Sequence, residues 1–566
     1  MSGHGTFARR AVASGVVVAL SGSVVVAVGG PAGAAPGGRA AAASRVARSA
    51  AAYNELTATM IDNEFLPRTT TVNPGTTIHW SNEGRNEHNV KPDKASDKTF
   101  GDALIGIGEE YQNKFETPGV YAYYCSFHGA PGKGMYGNVI VRNADGTLPA
   151  GADKVNRGKS GPAARGKPRT IEVPKDSKTI QGAIDRAKPG DLVLVSPGVY
   201  HEAVVITTDR IVLRGLDRNA VILDGRYQLE NGVKVIDANG VAVENMTARR
   251  YERNGFFWTG AKGYRGSYLT STRTGDYGIY AFDSVDGWFD HDYGAGSPDA
   301  GFYIGQCYPC NAIITDSISE YNGLGYSGTN AGGNLVITNS IWRFNRAGVV
   351  PNSGDGEANP PERETTVIGN LVYDNNNGQT PSIDAAKLAQ GNGILVAGGE
   401  DNLITKNLVF KHDIGGIVTV LNPEKRVWFP NNNTTVDNVV RDSGEADLAT
   451  FGGEGNCFAR NRFATSKPSN IEQTNPCPPG TPGVAPTDQL DLQKYIDATK
   501  PPGVDYRIAK TPKPPKLAGM PNASSAKAVA AVGIAAKVKA WIKREQAKVR
   551  TPKAPKDLRT TKVPVP

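Results

Sequence analysis

Between residues 190 and 450 short β-rich segments recur, each carrying Asn, Ser, Asp or His near its centre. Val243-Glu244-Asn245-Met246, Ile314-Thr315-Asp316-Ser317, Val336-Ile337-Thr338-Asn339-Ser340, Val367-Ile368-Gly369-Asn370 and Ile404-Thr405-Lys406-Asn407 are examples. Asp316 and Asn339 stand 23 residues apart, and polar insertions lengthen the interval near 350–365 and 375–390. A strand-and-turn repeat of this length predicts a β-solenoid. One coil cannot bury its own apolar face, so it stacks on neighbours about 4.8 Å away. The central Asn and Ser residues are expected to stack in ladders that satisfy backbone groups at the turns. Ahead of the repeat, Thr179 to Ala187 places apolar residues at i, i+3, i+4 and i+7. That spacing predicts a helix capped by Asp176 or Ser177, stopped by Pro189-Gly190, and covering one end of the solenoid. Gly190 to Val195 then reads as a strand.

Upstream the pattern changes. Phe65-Leu66-Pro67, Val72-Asn73-Pro74-Gly75, Thr77-Ile78-His79-Trp80 and Phe115 to Tyr124 are short strand signals broken by turns, and they predict a small β-sandwich over 53–143. Residues 144–170 lack an apolar period and read as a flexible linker. Residues 481–566 form a Lys/Pro/Ala-rich tail. Within it an Asp488–Ile496 segment precedes one predicted helix over 524–547 that carries Trp541 and Ile542. That helix has no apolar stripe wide enough for a core, so it is expected to be loosely docked or to touch a wall or membrane surface. The last stretch is expected to be disordered.

Residues 1–35 have the form of a signal peptide. Arg9-Arg10 precede an apolar run from Ala11 to Val28, and Ala32-Gly33-Ala34 offers a cleavage site. The paired arginines fit either the general or the twin-arginine export route. The run is interrupted by Ser14, Ser21 and Ser23 and sits at the short edge for spanning, so the expectation is cleavage, with no transmembrane segment in the mature chain. Residues 36–52 form a tether. These features place the mature protein outside the cytoplasm, secreted or held at the envelope.

The net charge of +8 is unevenly spread. Residues 1–52 carry +5, 144–170 carry +4 and 501–566 carry +12, which leaves −13 for the rest. Acidic folded parts exclude nucleic-acid binding through a basic face. The basic ends suit anionic wall polymers or lipid headgroups.

Candidate chemistry concentrates in Tyr123-Tyr124-Cys125-Ser126-Phe127-His128 and in Met135, with His88 upstream. Two imidazoles, one thiol and one thioether are the donor set of a blue-copper electron-transfer site. Structural zinc would want further Cys or His at short spacing, and this region has no second Cys. With Cys125 on copper, four of the five cysteines remain, and in an exported protein they suggest two disulfides. The shortest pairing joins Cys307 to Cys310 and Cys457 to Cys477; the second closes a loop worth roughly 3 kcal/mol. Cys307-Tyr308-Pro309-Cys310 is also open to a redox reading, although its flanks suggest a turn between strands and not a helix start.

On these residues, 53–143 resemble a cupredoxin of the plastocyanin or halocyanin kind. The resemblance implies a Greek-key sandwich and one copper ion in a type 1 site. His88, Cys125 and His128 would supply the trigonal donors and Met135 the axial one. Six residues separate His128 from Met135, a longer loop than many relatives have. Residues 171–480, with the Pro197-Gly198-Val199-Tyr200 signature, resemble the right-handed parallel β-helix proteins of the pectate-lyase-like superfamily. Lyases, hydrolases, epimerases and a copper-maturation accessory protein belong to that superfamily. The expected fold class is therefore all-β: a sandwich linked to a parallel β-helix, with a disordered or helical tail.

Asp290, His291 and Asp292 are the best local candidates for proton transfer at a sugar ring, against turn and ladder roles for the same residues. His201 and His412-Asp413 read as surface or turn residues. Two functional readings follow. In the first, an exported copper protein transfers electrons or handles copper, and its β-helix binds a redox or copper-exchange partner or an extracellular polymer. In the second, the β-helix is a carbohydrate-active enzyme on acidic polysaccharide with an accessory cupredoxin.

Overall fold

Along Thr76–Asn82 the side chains of Thr76, Ile78, Trp80 and Asn82 turn inward and those between them do not. This is the period of a strand with one face on a core. It lies in a four-stranded sheet ordered Glu64–Leu66, Glu55–Ile61, Thr76–Asn82, Glu110–Phe115. A second sheet faces it, ordered Thr69–Val72, Lys133–Val141, Gly119–Ala130, Lys91–Pro92. Between them Trp80 makes edge contacts with Phe115 and Tyr123, beside Met60, Ile78 and Val139. This computed structural model describes residues 55–564 apart from 85, 95–99, 102, 156–165 and 498. The signal peptide and tether expected over 1–52 lie outside the described residues, as does the middle of the expected linker.

From Thr170 onward the chain winds through three parallel sheets. Sheet one has 12 strands, from Thr170–Val173 to Cys457–Ala459. Sheet two has 10, from Gly198–Tyr200 to Val439–Ser443, and sheet three has 11, from Val204–Ile206 to Ser466–Lys467. In sheet three Val233, Phe256, Ile279 and Phe302 stack in register and face the interior. The expected ladders are present. Leu269 N donates to Asp292 Oδ1, Asp292 N to Ser317 Oγ, Ser317 N to Ser340 Oγ, Ser340 N to Asn370 Oδ1, and Asn370 N to Asn407 Oδ1. All five bonds measure 2.7–3.2 Å. Each buried turn amide thus finds its partner on the next coil.

The end helix is Ile180–Arg186, and its N-cap is Thr179, whose hydroxyl oxygen accepts from Gly182 N at 3.0 Å. Asp176 and Ser177, the residues expected there, are otherwise engaged. Asp176 accepts from Glu172 N, and the Ser177 hydroxyl donates to Thr179 O. Cys307 pairs with Cys310 in the turn between the strands Ala300–Gly305 and Ala312–Thr315, and Cys457 pairs with Cys477. Cys125 is the free cysteine among the described residues.

The tail departs from expectation. Its helix covers only Ile534–Arg544. The alanine-rich stretch before it is not helical, because the solenoid holds its backbone. Ala531 N donates to Gly240 O, and the Arg214 guanidinium donates to Ala526 O and Lys527 O. The helix is not loosely docked: Ile534 and Val538 are buried on the outer face of sheet one against Ile313, Val336 and Ile368. The stretch expected to be disordered also lies along the solenoid. Arg343 donates to Leu558 O and Thr560 O, and Leu558 and Val563 pack beside Leu371 and Tyr373. Among the described residues no helix is long and apolar enough to cross a membrane.

Candidate metal centre

The strand Gly119–Ala130 pairs with Lys133–Val141, and the pairing shifts between Tyr124 and Gly129. The residues freed by that irregularity are Cys125, Ser126, Phe127 and His128. Beyond them Gly129 opposes Gly134 and Ala130 opposes Lys133, so the long stretch between His128 and Met135 is a hairpin. It returns Met135 to the same buried layer as Cys125. The crossing admits only glycine at 129, where a Cβ would stand 2.5 Å from Met135 O.

His88 comes from a separate segment held on both sides. Its backbone exchanges hydrogen bonds with Ile105 at 3.0 and 2.8 Å. The next residue, Asn89, clamps this segment to the cysteine loop. Its Oδ1 accepts from Ser126 N at 2.8 Å and its Nδ2 donates to Ser126 Oγ at 3.0 Å.

The clamp brings three donor atoms together. His88 Nδ1 and His128 Nδ1 are 3.2 Å apart, and Cys125 Sγ lies 3.8 Å from the first and 3.7 Å from the second. A point equidistant from the corners of that triangle is about 2.1 Å from each, within the usual range of bonds from nitrogen or sulfur to a first-row transition metal. Burial, with Arg253 adding to it, pushes the His88 imidazole down to about 3. Burial, followed by His88 itself, holds His128 well below its ordinary value. Both rings are therefore neutral at ordinary pH and present lone pairs. Burial pushes the Cys125 thiol up, so a metal must displace its proton, as metal binding to thiols does. The residues fit a thiophilic ion. Among the described residues no other group of three or more His, Cys, Asp or Glu side chains converges in this way.

The solenoid candidates sit otherwise. Asp292 is a rung of the ladder described above, buried, with one carboxylate oxygen taken by Leu269 N. Asp290 accepts from Ser267 Oγ at 2.9 Å and lies 2.9 Å from His291 Nδ1. His291 belongs to a column of left-handed turn residues, Asn245, Tyr268, His291, Asp316 and Asn339, with φ between 47° and 58°. Its ring stacks on Tyr268 one coil away at 4.5 Å. Turn geometry thus accounts for the cluster. His201 is exposed, whereas His412 is fully buried and not a surface residue.

Sequence reasoning missed a third wall of the centre. Lys234, Arg253 and Phe257 of the solenoid all reach the cysteine loop. Lys234 Nζ donates to Ser126 O at 2.7 Å, Arg253 lies over the Phe127 ring at 4.5 Å, and the Phe257 ring meets His128 edge-on. A signal was present in Phe256-Phe257-Trp258 and Ile279-Tyr280-Ala281-Phe282. In a solenoid only alternate residues face the interior, so runs apolar at every position mark a covered outer face.

Comparison with known proteins agrees with this geometry. Residues 54–142 match the family described as copper binding proteins, plastocyanin/azurin family, and residues 254–433 match the right handed beta helix region. Plastocyanin of Scenedesmus fuscus is 34% identical over 86 residues, which cover 14% of this chain and 86% of that protein. The chloroplastic plastocyanin of Tetradesmus obliquus is 36% identical over 86 residues, and the match spans 58% of its length. The A-module of an Azotobacter vinelandii mannuronan C-5 epimerase aligns with 51% of this chain and 91% of its own, at 13% identity and a TM-score of 0.39.

Proposed function

The chain belongs, through residues 54–142, to the plastocyanin/azurin family of copper-binding proteins, and from that premise we propose an exported protein with one type 1 copper centre, used for electron transfer or copper handling. The triangle of His88 Nδ1, Cys125 Sγ and His128 Nδ1 is the observation that carries this reading. In it those three residues are the trigonal donors and Met135 is the axial one. Copper among such donors supplies one-electron chemistry, because sulfur favours the reduced ion and imidazole accommodates the oxidised one. The chain's own residues keep one donor set in place for both states. Asn89 ties the His88 segment to the cysteine loop, and the hairpin returns Met135 to the buried cluster that holds Cys125. Burial of all four side chains excludes water.

In this reading residues 1–35 direct export, which suits the two disulfides. The β-helix binds a redox or copper-exchange partner, or an extracellular acidic polysaccharide. No specific observation favours a carbohydrate-active enzyme, since Asp292 is committed to the ladder. Copper-loaded full-length protein is expected to be blue, with an intense sulfur-to-copper absorption that Cys125→Ser abolishes. A colourless copper-loaded wild type would overturn the electron-transfer reading.

A further inference from the structure

Sheet three presents one outward column in register across successive coils: Val205, Lys234, Phe257, Tyr280 and Tyr303. Outward positions of a solenoid normally meet water, yet Lys234 is only 7% exposed and the three aromatic residues are sealed. The sandwich covers the first part of the column. Lys234 Nζ donates to Ser126 O at 2.7 Å and to Gly129 O at 3.3 Å. The Phe257 ring stands perpendicular to that of His128, with centroids 6.4 Å apart. Tyr280 Oη accepts from Asn63 Nδ2 at 3.0 Å. Beside the column, Asp237 Oδ2 accepts from Gly134 N at 2.7 Å, and Ile236 fills the space a Cβ at Gly134 would need.

Lys234 is the unusual member. Burying an ammonium is costly unless it is paired and bonded, and an apolar side chain of similar length would fill the space more cheaply. In the loop it bonds two main-chain carbonyls, one on each side of the Phe127-His128 pair. Bonds to a charged donor are among the stronger ones a loop can make. The ammonium lies in the wall beside the donor triangle, where burial disfavours its charge and the Glu230 carboxylate supports it. A fixed positive charge there disfavours the more highly charged state of whatever the donors hold.

We propose that Lys234 of the β-helix is a positioning residue of the copper centre, fixing the loop from Ser126 to Gly129 and raising the centre's reduction potential. The proposal rests on the copper reading, and its test separates the two. Full-length wild type, Lys234→Met, Lys234→Arg and a control, Lys425→Met, are compared. Lys425 also bridges the two folds, through Glu83, but at the exposed surface. In metal-free protein, amide exchange over residues 126–135 should quicken about tenfold or more in Lys234→Met, as loss of charge-assisted bonds implies. Lys234→Arg and Lys425→Met should stay near wild type. In copper-loaded protein Lys234→Met should lower the midpoint potential and shift the visible and EPR spectra, with Lys234→Arg restoring both. If Lys234→Met does not fold, Lys234→Gln replaces it, keeping a donor without the charge; its potential should fall while loop exchange changes less. Wild-type exchange, potential and spectra in the Met or Gln variant would overturn the proposal. Failure of wild type to take up copper would overturn the copper reading, and metal-free exchange would still decide whether Lys234 fixes the loop.

Discussion

His412 and Asp292 are both ladder residues buried in the solenoid, and they respond to pH in opposite senses. Asn322 N donates to Asn345 Oδ1, Asn345 N donates to Asn375 Oδ1, and Asn375 Nδ2 donates to His412 Nε2 at 3.2 Å. Burial pushes the His412 imidazole down to about 3, against about 6.5 in an unfolded chain. The stability tied to its neutral form is complete above about 6.5 and is lost as pH falls toward 3. His412→Asn, which repeats the residue of the earlier rungs, should remove that part of the acid sensitivity. Asp292 is the reverse case. Burial first, and Asp290 next, hold its carboxyl well above the ordinary value, with Arg218 and His291 opposing. A raised carboxyl favours folding at low pH and loses that contribution as pH rises through its folded value. Asp292→Asn should therefore raise the melting temperature at pH 7 and converge on wild type in acid. Melting curves from pH 3 to 8 check both. At this scale the converging trio was legible, because His88, Cys125 and His128 are chemically rare and sit at telling intervals, and the structure brings their donor atoms together. Lys234 was not, since its partner Ser126 is 108 residues away.

Among elements, the C-terminal helix shows where periodicity stops being informative. Ala- and Lys-rich text over 524–547 has helical propensity throughout, yet the helix begins only after Gly533, whose φ is +67°. Before that point contacts with Gly240 and Arg214 hold the backbone out of a helix, and sequence-local reasoning cannot see them. The docking face is narrow, consisting chiefly of Ile534 and Val538 with Trp541 and Ile542 at its edge. Val538→Asp would bury an unpaired carboxylate there. It should cost about 3 kcal/mol of docking and expose residues 524–564 to limited proteolysis while leaving copper uptake intact. The solenoid strands were read more easily, because their turns repeat Asn and Ser coil after coil and the ladder bonds explain why.

At the scale of the molecule, the sandwich does not hang from a free tether. Its metal loop is pressed onto sheet three, with Lys133 Nζ donating to Thr207 O and Asp237 O and Arg253 paired to Glu87 at 2.8 Å. Residues 144–170 have the composition of a flexible linker, which leaves the placement of the two folds open; only the doubly apolar strands near 257 and 280 signal a cover. Phe257 is sealed between the His128 ring and Tyr280, on which it stacks at 4.6 Å. Phe257→Ala should lower stability by about 3–5 kcal/mol. It should also open the His128 edge to water, so that a chelator strips copper from the variant faster than from wild type.

X-ray absorption at the copper edge of the loaded full-length chain addresses the donor set itself. A first shell of two nitrogens and one sulfur is expected, with the sulfur lost in Cys125→Ser. A shell of nitrogen and oxygen alone in wild type, unchanged by that substitution, would contradict it.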